Sequence, residues 1–119
     1  MVALVQNVVS VQPGTAGSNL TTTHSDVISN QSSSAYTKIQ SIIISNVDGT
    51  NDVDVNVSYY NGVTHYYLAK TVTVPADSTL IVLTKDTPII LQEFEGIYAS
   101  ASANSDAQIV VVWEQHNTV

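Results

Sequence analysis

The stretch from Val53 to Tyr59 leaves this chain few choices of fold. Val53, Val55, Val57 and Tyr59 share one parity, while Asp52, Asp54, Asn56 and Ser58 share the other. Side chains alternate across a strand, so the segment is a strand with one apolar face and one wet face. Ile39–Val47 and Tyr66–Val74 flank it, joined by the turn-like segments Asp48-Gly49-Thr50-Asn51 and Asn61-Gly62. Asn-Gly between alternating runs is the strongest short hairpin signal. Residues 39–74 are therefore expected to form a β-meander.

Composition extends this to the whole chain. Valine occurs 18 times, only 11% of residues are charged, and Ser, Thr and Asn fill most polar positions. Val, Ile, Thr and Tyr suit a pleated, half-buried surface, whereas most good helix formers are scarce. No 3.6-residue period persists long enough for a helix. Beyond the meander, further strands are expected at Thr79–Thr84, Ile89–Gln92, 97–103 and Gln108–Gln115. Pro75-Ala76-Asp77-Ser78, Lys85-Asp86-Thr87-Pro88, Glu93-Phe94-Glu95-Gly96 and Asn104-Ser105-Asp106 separate them. About eight short strands at such spacing predict an all-β, antiparallel β-sandwich of jelly-roll type, with a closed barrel still open. A chain of 119 residues is one domain's length and buries roughly two-thirds of its unfolded surface.

The first third reads differently. Residues 2–11, with Leu4, Val8 and Val11, suggest a strand that ends at the turn Gln12-Pro13-Gly14. Thr15 to Ala35 is Gly-, Ser-, Thr-, Asn- and Gln-rich, with Leu20, Val27 and Ile28 its sizeable apolar groups. Structureless stretches this long are uncommon inside compact domains. The segment is either a loop or short extra hairpin, or an extended arm ordered on a neighbouring subunit. The expected division is a strand and polar arm at 1–36 and a β-sandwich at 37–119. Leu20, Val27 and Ile28 are candidate partner-binding residues.

Charge and cysteine content exclude several functions. Three Lys, no Arg and ten carboxylates give a net charge of −7. Phosphate backbones demand cations, so neither nucleic acid nor an anionic membrane is expected as a partner. Without cysteine there is no disulfide, thiolate metal site or thiol nucleophile. Met1–Asn7 has no cationic n-region and its apolar run stops at Gln6, so neither a signal peptide nor a membrane span is expected. The Asn-x-Ser/Thr triplets at Asn19, Asn30 and Asn56 then read as chance matches, and synthesis in a cytoplasm is expected.

Nothing in the residues announces a reaction. His24, His65 and His116 are far apart in sequence and read as surface histidines. The loop Asn46–Asp54 has the alternating oxygens of a calcium loop without its terminal bidentate Glu, and Asp-Gly-Thr-Asn is an ordinary turn. Glu93 and Glu95 flank Phe94, and paired carboxylates can hydrolyse glycosides, yet solvated turn residues explain them. No Gly-x-Ser-x-Gly elbow or Gly-rich phosphate loop occurs. Tyr59-Tyr60 faces Tyr66-Tyr67 across the Asn61-Gly62 turn. One Tyr of each pair points outward, which makes Tyr60 and Tyr67 candidates for a subunit-contact or sugar-stacking patch. Catalytic residues, metal ligands and cofactors are not expected.

Longer phrases carry a resemblance. "TKIQSIIISNVDG", "DVNVSYY", "TVTVPADSTLIVLTKDTPIILQEFEGIYASASA" and "QIVVVWEQ", spread from Thr37 to Glu114, cover about two-thirds of the chain. This stretch resembles small β-sandwich virion structural proteins of tailed bacteriophages, cyanophage-like ones in particular. The resemblance implies a non-enzymatic capsid decoration (cement) protein, or a neck or tail accessory, located in the virion. Its partners would be the major capsid protein or other virion proteins and further copies of itself, as a homotrimer. A Val-rich sheet with few cations to blunt its edges also argues for an oligomer. The alternative is a neck, tail or fibre module that binds host glycans.

Overall fold

A computed structural model describes residues 8–118; the apolar run Val2–Val5 lies outside them. Nine strands follow in order: β1 Val8–Asn19, β2 Ser25–Asn30, β3 Ala35–Asn46, β4 Val53–Tyr60, β5 His65–Val74, β6 Thr79–Leu83, β7 Ile89–Leu91, β8 Glu95–Ala101 and β9 Ala107–Thr118. They form two packed antiparallel sheets. The first runs β1-β9-β3-β6, with β7 also on β3, and the second runs β2-β8-β4-β5. The β-sandwich expected from the alternating runs is the fold.

The core lies between the two inner faces. Val53, Val55 and Val57 of β4 and Ile97 and Ala99 of β8 meet Ile39, Ile42 and Ile44 of β3 and Ile109 and Val111 of β9. The run Ile42-Ile43-Ile44 does not alternate cleanly with Ile39 because the ladder to β9 shifts register between Ile39 and Ser41. The extra residue changes the inward parity, so Ile39 and Ile42 both point into the core.

Two expectations need correction. Residues 39–74 are not a meander, because β3 lies in the first sheet while β4 and β5 form a hairpin in the second. Both β3 and β4 carry a largely apolar face, and placing them in opposite sheets lets each cover the other. Asp48-Gly49-Thr50-Asn51 is thus a crossover between sheets. It is tightened by the Asp48 carboxylate, which accepts from the Thr50 amide at 2.8 Å and the Asn51 amide at 3.3 Å. These bonds hold that carboxyl below its ordinary range.

The second correction concerns residues 8–36, which are not an arm outside the sandwich. β1 pairs with β9 from Val8↔Thr118 to Asn19↔Gln108, and β2 pairs with β8. The polar composition that suggests a loop is that of edge strands whose outer faces meet water. Pro13 sits within β1 rather than ending it, because an edge strand tolerates a missing N–H. Leu20 is 3% exposed and closes the core, while Val27 and Ile28 pack against it half-buried. The boundary at residue 36 therefore does not follow the sheets.

Buried asparagines pin both ends of β3. Asn30 Nδ2 donates to the carbonyls of Ala35 (2.9 Å) and Leu91 (3.1 Å), and its Oδ1 accepts from the Ser32 amide at 2.9 Å. Asn46 Nδ2 donates to the carbonyls of Asn51 and Val74, both at 2.9 Å, and its Oδ1 accepts from the Asp48 amide at 3.0 Å.

Candidate functional site

Two places on the sandwich concentrate chemistry. On the outer face of the second sheet, alternation directs Ser58 and Tyr60 of β4 and Tyr98 and Ser100 of β8 away from the core. Ser58 is nevertheless 0% exposed. His24, at the end of the β1–β2 connection, lies across the sheet so that its Nε2 is 2.8 Å from Ser58 Oγ and its Nδ1 is 2.9 Å from Ser100 Oγ. His65, the first residue of β5, brings Nδ1 to 2.9 Å from the same Ser58 oxygen. A hydroxyl has one proton, so Ser58 can donate to one imidazole at most, and at least one of the two ring nitrogens donates to it.

Aromatic rings close over this chain of bonds. The two imidazoles meet edge to face at 5.4 Å, and His65 packs on Tyr60 at 4.6 Å and on Tyr98 at 4.9 Å. Tyr67 lies 5.7 Å from His24 and has Lys70 Nζ 4.2 Å from its ring centroid. Burial first, then the proximity of His65 and Lys70, pushes His24 below the usual imidazole range. Burial and the Asp26 carboxylate raise the Tyr98 phenol. The Ser58 hydroxyl is sealed beneath these rings and cannot reach a substrate as a nucleophile. No group of three metal-ligating side chains occurs among the described residues.

The second place is an end of the sandwich. A cleft of about 420 Å³ is lined by Asn61, Gly62 and Val63 from the β4–β5 turn and by Gln92, Glu93, Phe94 and Glu95 between β7 and β8. The Asn61-Gly62 turn is rigid: Gly62 has φ +96, Tyr60 donates to its carbonyl at 2.9 Å, and Asn61 Oδ1 accepts the Val63 and Thr64 amides. Val63 is thereby presented 84% exposed. Across the cleft, the Glu95 amide donates to the Gln92 carbonyl at 3.1 Å, closing a turn whose third residue, Phe94, has φ +66 and is 60% exposed. Glu95 accepts from the Gln92 amide at 2.8 Å and from Tyr59, whose phenol is pushed up to about 12 by burial and that carboxylate.

Other exposed apolar groups stand at the same end. Val8 pairs with Thr118, whose amide donates to Ser34, and the Phe94 amide donates to Asn30, so the starts of β1 and β8 flank one set of loops. Val8, Val9 and Val11 on β1 are 43%, 63% and 46% exposed.

Of the residues singled out from the sequence, Tyr60 and Tyr67 do lie on the outer face. They are joined there by His24 and His65, which sequence separation had kept apart. Leu20, Val27 and Ile28 serve the core instead. His116 stands away from both sites, stacked on Tyr36 at 4.7 Å and 3.3 Å from Glu114. Glu93 and Glu95 share the end cleft, where Glu95 already holds the loop. Parity could have placed Ser58, Tyr98 and Ser100 on one face. No spacing could have brought His24 over Ser58.

No protein-family model matches the chain, and no curated protein matches it in sequence. Among solved structures it is similar to a protein of Bacillus endospore appendages, a family of disulfide-linked pili. That match has a TM-score of 0.55 and 15% identity over 100% of this chain and 96% of the other. Two pentameric capsid proteins from metagenomic phage sequences align over 100% of this chain and 74% and 69% of theirs. Their TM-scores are 0.46 and 0.43, with 11% and 12% identity. The likeness to the appendage protein is one of fold. Its disulfide linkage has no counterpart here, where cysteine is absent.

Proposed function

We propose that this chain is a non-enzymatic structural subunit of a tailed-phage virion, in particular a capsid decoration protein that bridges neighbouring capsid subunits. The observation that carries the reading is the set of exposed apolar side chains at one end: Val8, Val9 and Val11 on the outer strand of the first sheet, and Val63 and Phe94 on loops that lead into the second. Exposed apolar groups gathered at one end suit a contact surface in proteins that work in assemblies. The sequence phrases from Thr37 to Glu114 support the phage assignment. The strand orders β1-β9-β3-β6 and β2-β8-β4-β5 match two Greek keys folded into a jelly roll, an architecture used in viral capsids. The fold shared with a pilus subunit fits a role in assembly.

Docking through β1 fits how the outer strands are guarded, β6 and β7 being short edges of 5 and 3 residues. β2 shifts register between Asp26 and Ile28. β5 carries Lys70 and a kink at Thr71, whose φ is +51 and whose amide donates to Asn56 Oδ1. Bulges and charges of this kind discourage edge pairing. In β1 the guards are a register shift between Val8 and Ser10 and Pro13 further on, which leave Ser10–Gln12 as the regular open stretch. The rival reading, glycan recognition through Tyr60 and Tyr67, has weaker support because both rings are already packed against histidines.

Light scattering on the wild type and on Val9→Ser/Val11→Ser tests the assignment. A stable trimer that the paired substitution dissociates, with an unchanged circular dichroism spectrum, is the expected result. A wild-type protein that stays monomeric at millimolar concentration would overturn self-association through β1.

A further inference from the structure

The end cleft has features that simple turn formation does not require. The Gln92–Glu95 turn needs a left-handed residue, which Gly or Asn supplies without strain. This chain places an aromatic there, and Phe94 is the one aromatic among the non-glycine residues with positive φ in the described chain. A strained residue that gains no burial points to use outside the folded monomer. Val63 faces it across the cleft from a turn fixed by three side-chain hydrogen bonds.

The polar lining has one sign. Glu93 and Glu95 border the cleft, and Lys38, Lys70 and Lys85, the chain's three cations, do not line it. Gln92 also lines it. Two apolar walls with carboxylates at their rim together suit a side chain with an aliphatic stem and a cationic, donor-only head.

We propose that this cleft docks an arginine- or lysine-bearing segment of a different protein, its stem between Val63 and Phe94 and its head at Glu93. A second copy of this chain is a poor source, having no arginine and three lysines. The inference rests on reading this end as an assembly surface, yet it can fail while self-association through β1 stands. Glu93 makes no ion pair among the described residues, so it is free to receive the cation.

The test is a ¹⁵N NMR titration of the full chain with acetyl-Leu-Arg-Leu-amide and with the same peptide carrying citrulline, the neutral isostere. The expected result is shifts confined to the amides of 61–63 and 92–95, with the arginine peptide about tenfold tighter. Glu93→Gln should weaken it about fivefold, as losing a partly screened ion pair does. Phe94→Gly should weaken binding while raising the melting temperature, a split that a purely structural role does not give. Equal response to both peptides, shifts centred on Asp48, Asp52 and Asp54, or no response at millimolar peptide would each overturn the proposal.

Discussion

Replacing Ser58 by Ala removes a single oxygen from beneath two imidazoles. That oxygen is fully buried and lies 2.8 Å from His24 Nε2 and 2.9 Å from His65 Nδ1. A net hydrogen bond contributes about 0.5–1.5 kcal/mol, and stranding a buried partner costs about 1–3 kcal/mol. Both rings are half-buried and recover part of their hydrogen bonding from water, so a loss of about 2 kcal/mol is expected. A domain of this length unfolds with an entropy of about 0.25 kcal/mol/K, which converts that loss to about 8 °C in melting temperature. Thermal unfolding at pH 8, followed by circular dichroism, measures it directly. The histidine bridge also predicts that Ser58→Ala and His24→Gln are not additive, since each removes the same contact. A Ser58→Ala protein that melts within 1–2 °C of wild type would show that the bridge contributes nothing net, contrary to its burial (about 0.5 kcal/mol at most).

Other residues give separate tests. His24 holds its proton less readily folded than unfolded, so its contribution is complete above its ordinary value of 6.5 and is lost as the pH falls below it. The urea midpoint should drop between pH 7 and 5, and His24→Gln should flatten that drop; an equal slope in both proteins would place the titration elsewhere. Gly14 faces Trp113 across the β1–β9 ladder, and a Cβ there would stand 2.6 Å from Cε2 and Cη2 of the indole. Gly14→Ala should cost about 1–3 kcal/mol by overpacking and shift the emission of the chain's single tryptophan. An unmoved spectrum would contradict the contact. Asn46→Ala strands two carbonyls and one amide at the crossover and should cost about 3 kcal/mol, measured by urea denaturation. A loss below about 1 kcal/mol would mean that water replaces the side chain.

Residues Val53–Tyr59, Ile97–Ala101 and Ile109–Trp113 declared their inner faces by parity alone, because a period of two is a local property. That sufficed for the fold class, for the β4–β5 hairpin at Asn61-Gly62 and for the outward placement of Tyr60 and Tyr67. Which strand pairs with which is not local. Nothing between Ile39 and Val57 states that β3 and β4 belong to opposite sheets, since an alternating strand fits either side of a core equally well. The polar run around Leu20 and Ile28 likewise matched a loop, because an edge strand buries little and needs few apolar residues. The two candidate sites depend on that same long-range pairing. His24 reaches Ser58 only because β2 lies beside β8, and Phe94 meets Val63 only because the sandwich gathers the β4–β5 and β7–β8 connections at one end. Local alternation set the material of this protein, and the burial of two apolar sheet faces against each other decided which distant residues share a surface.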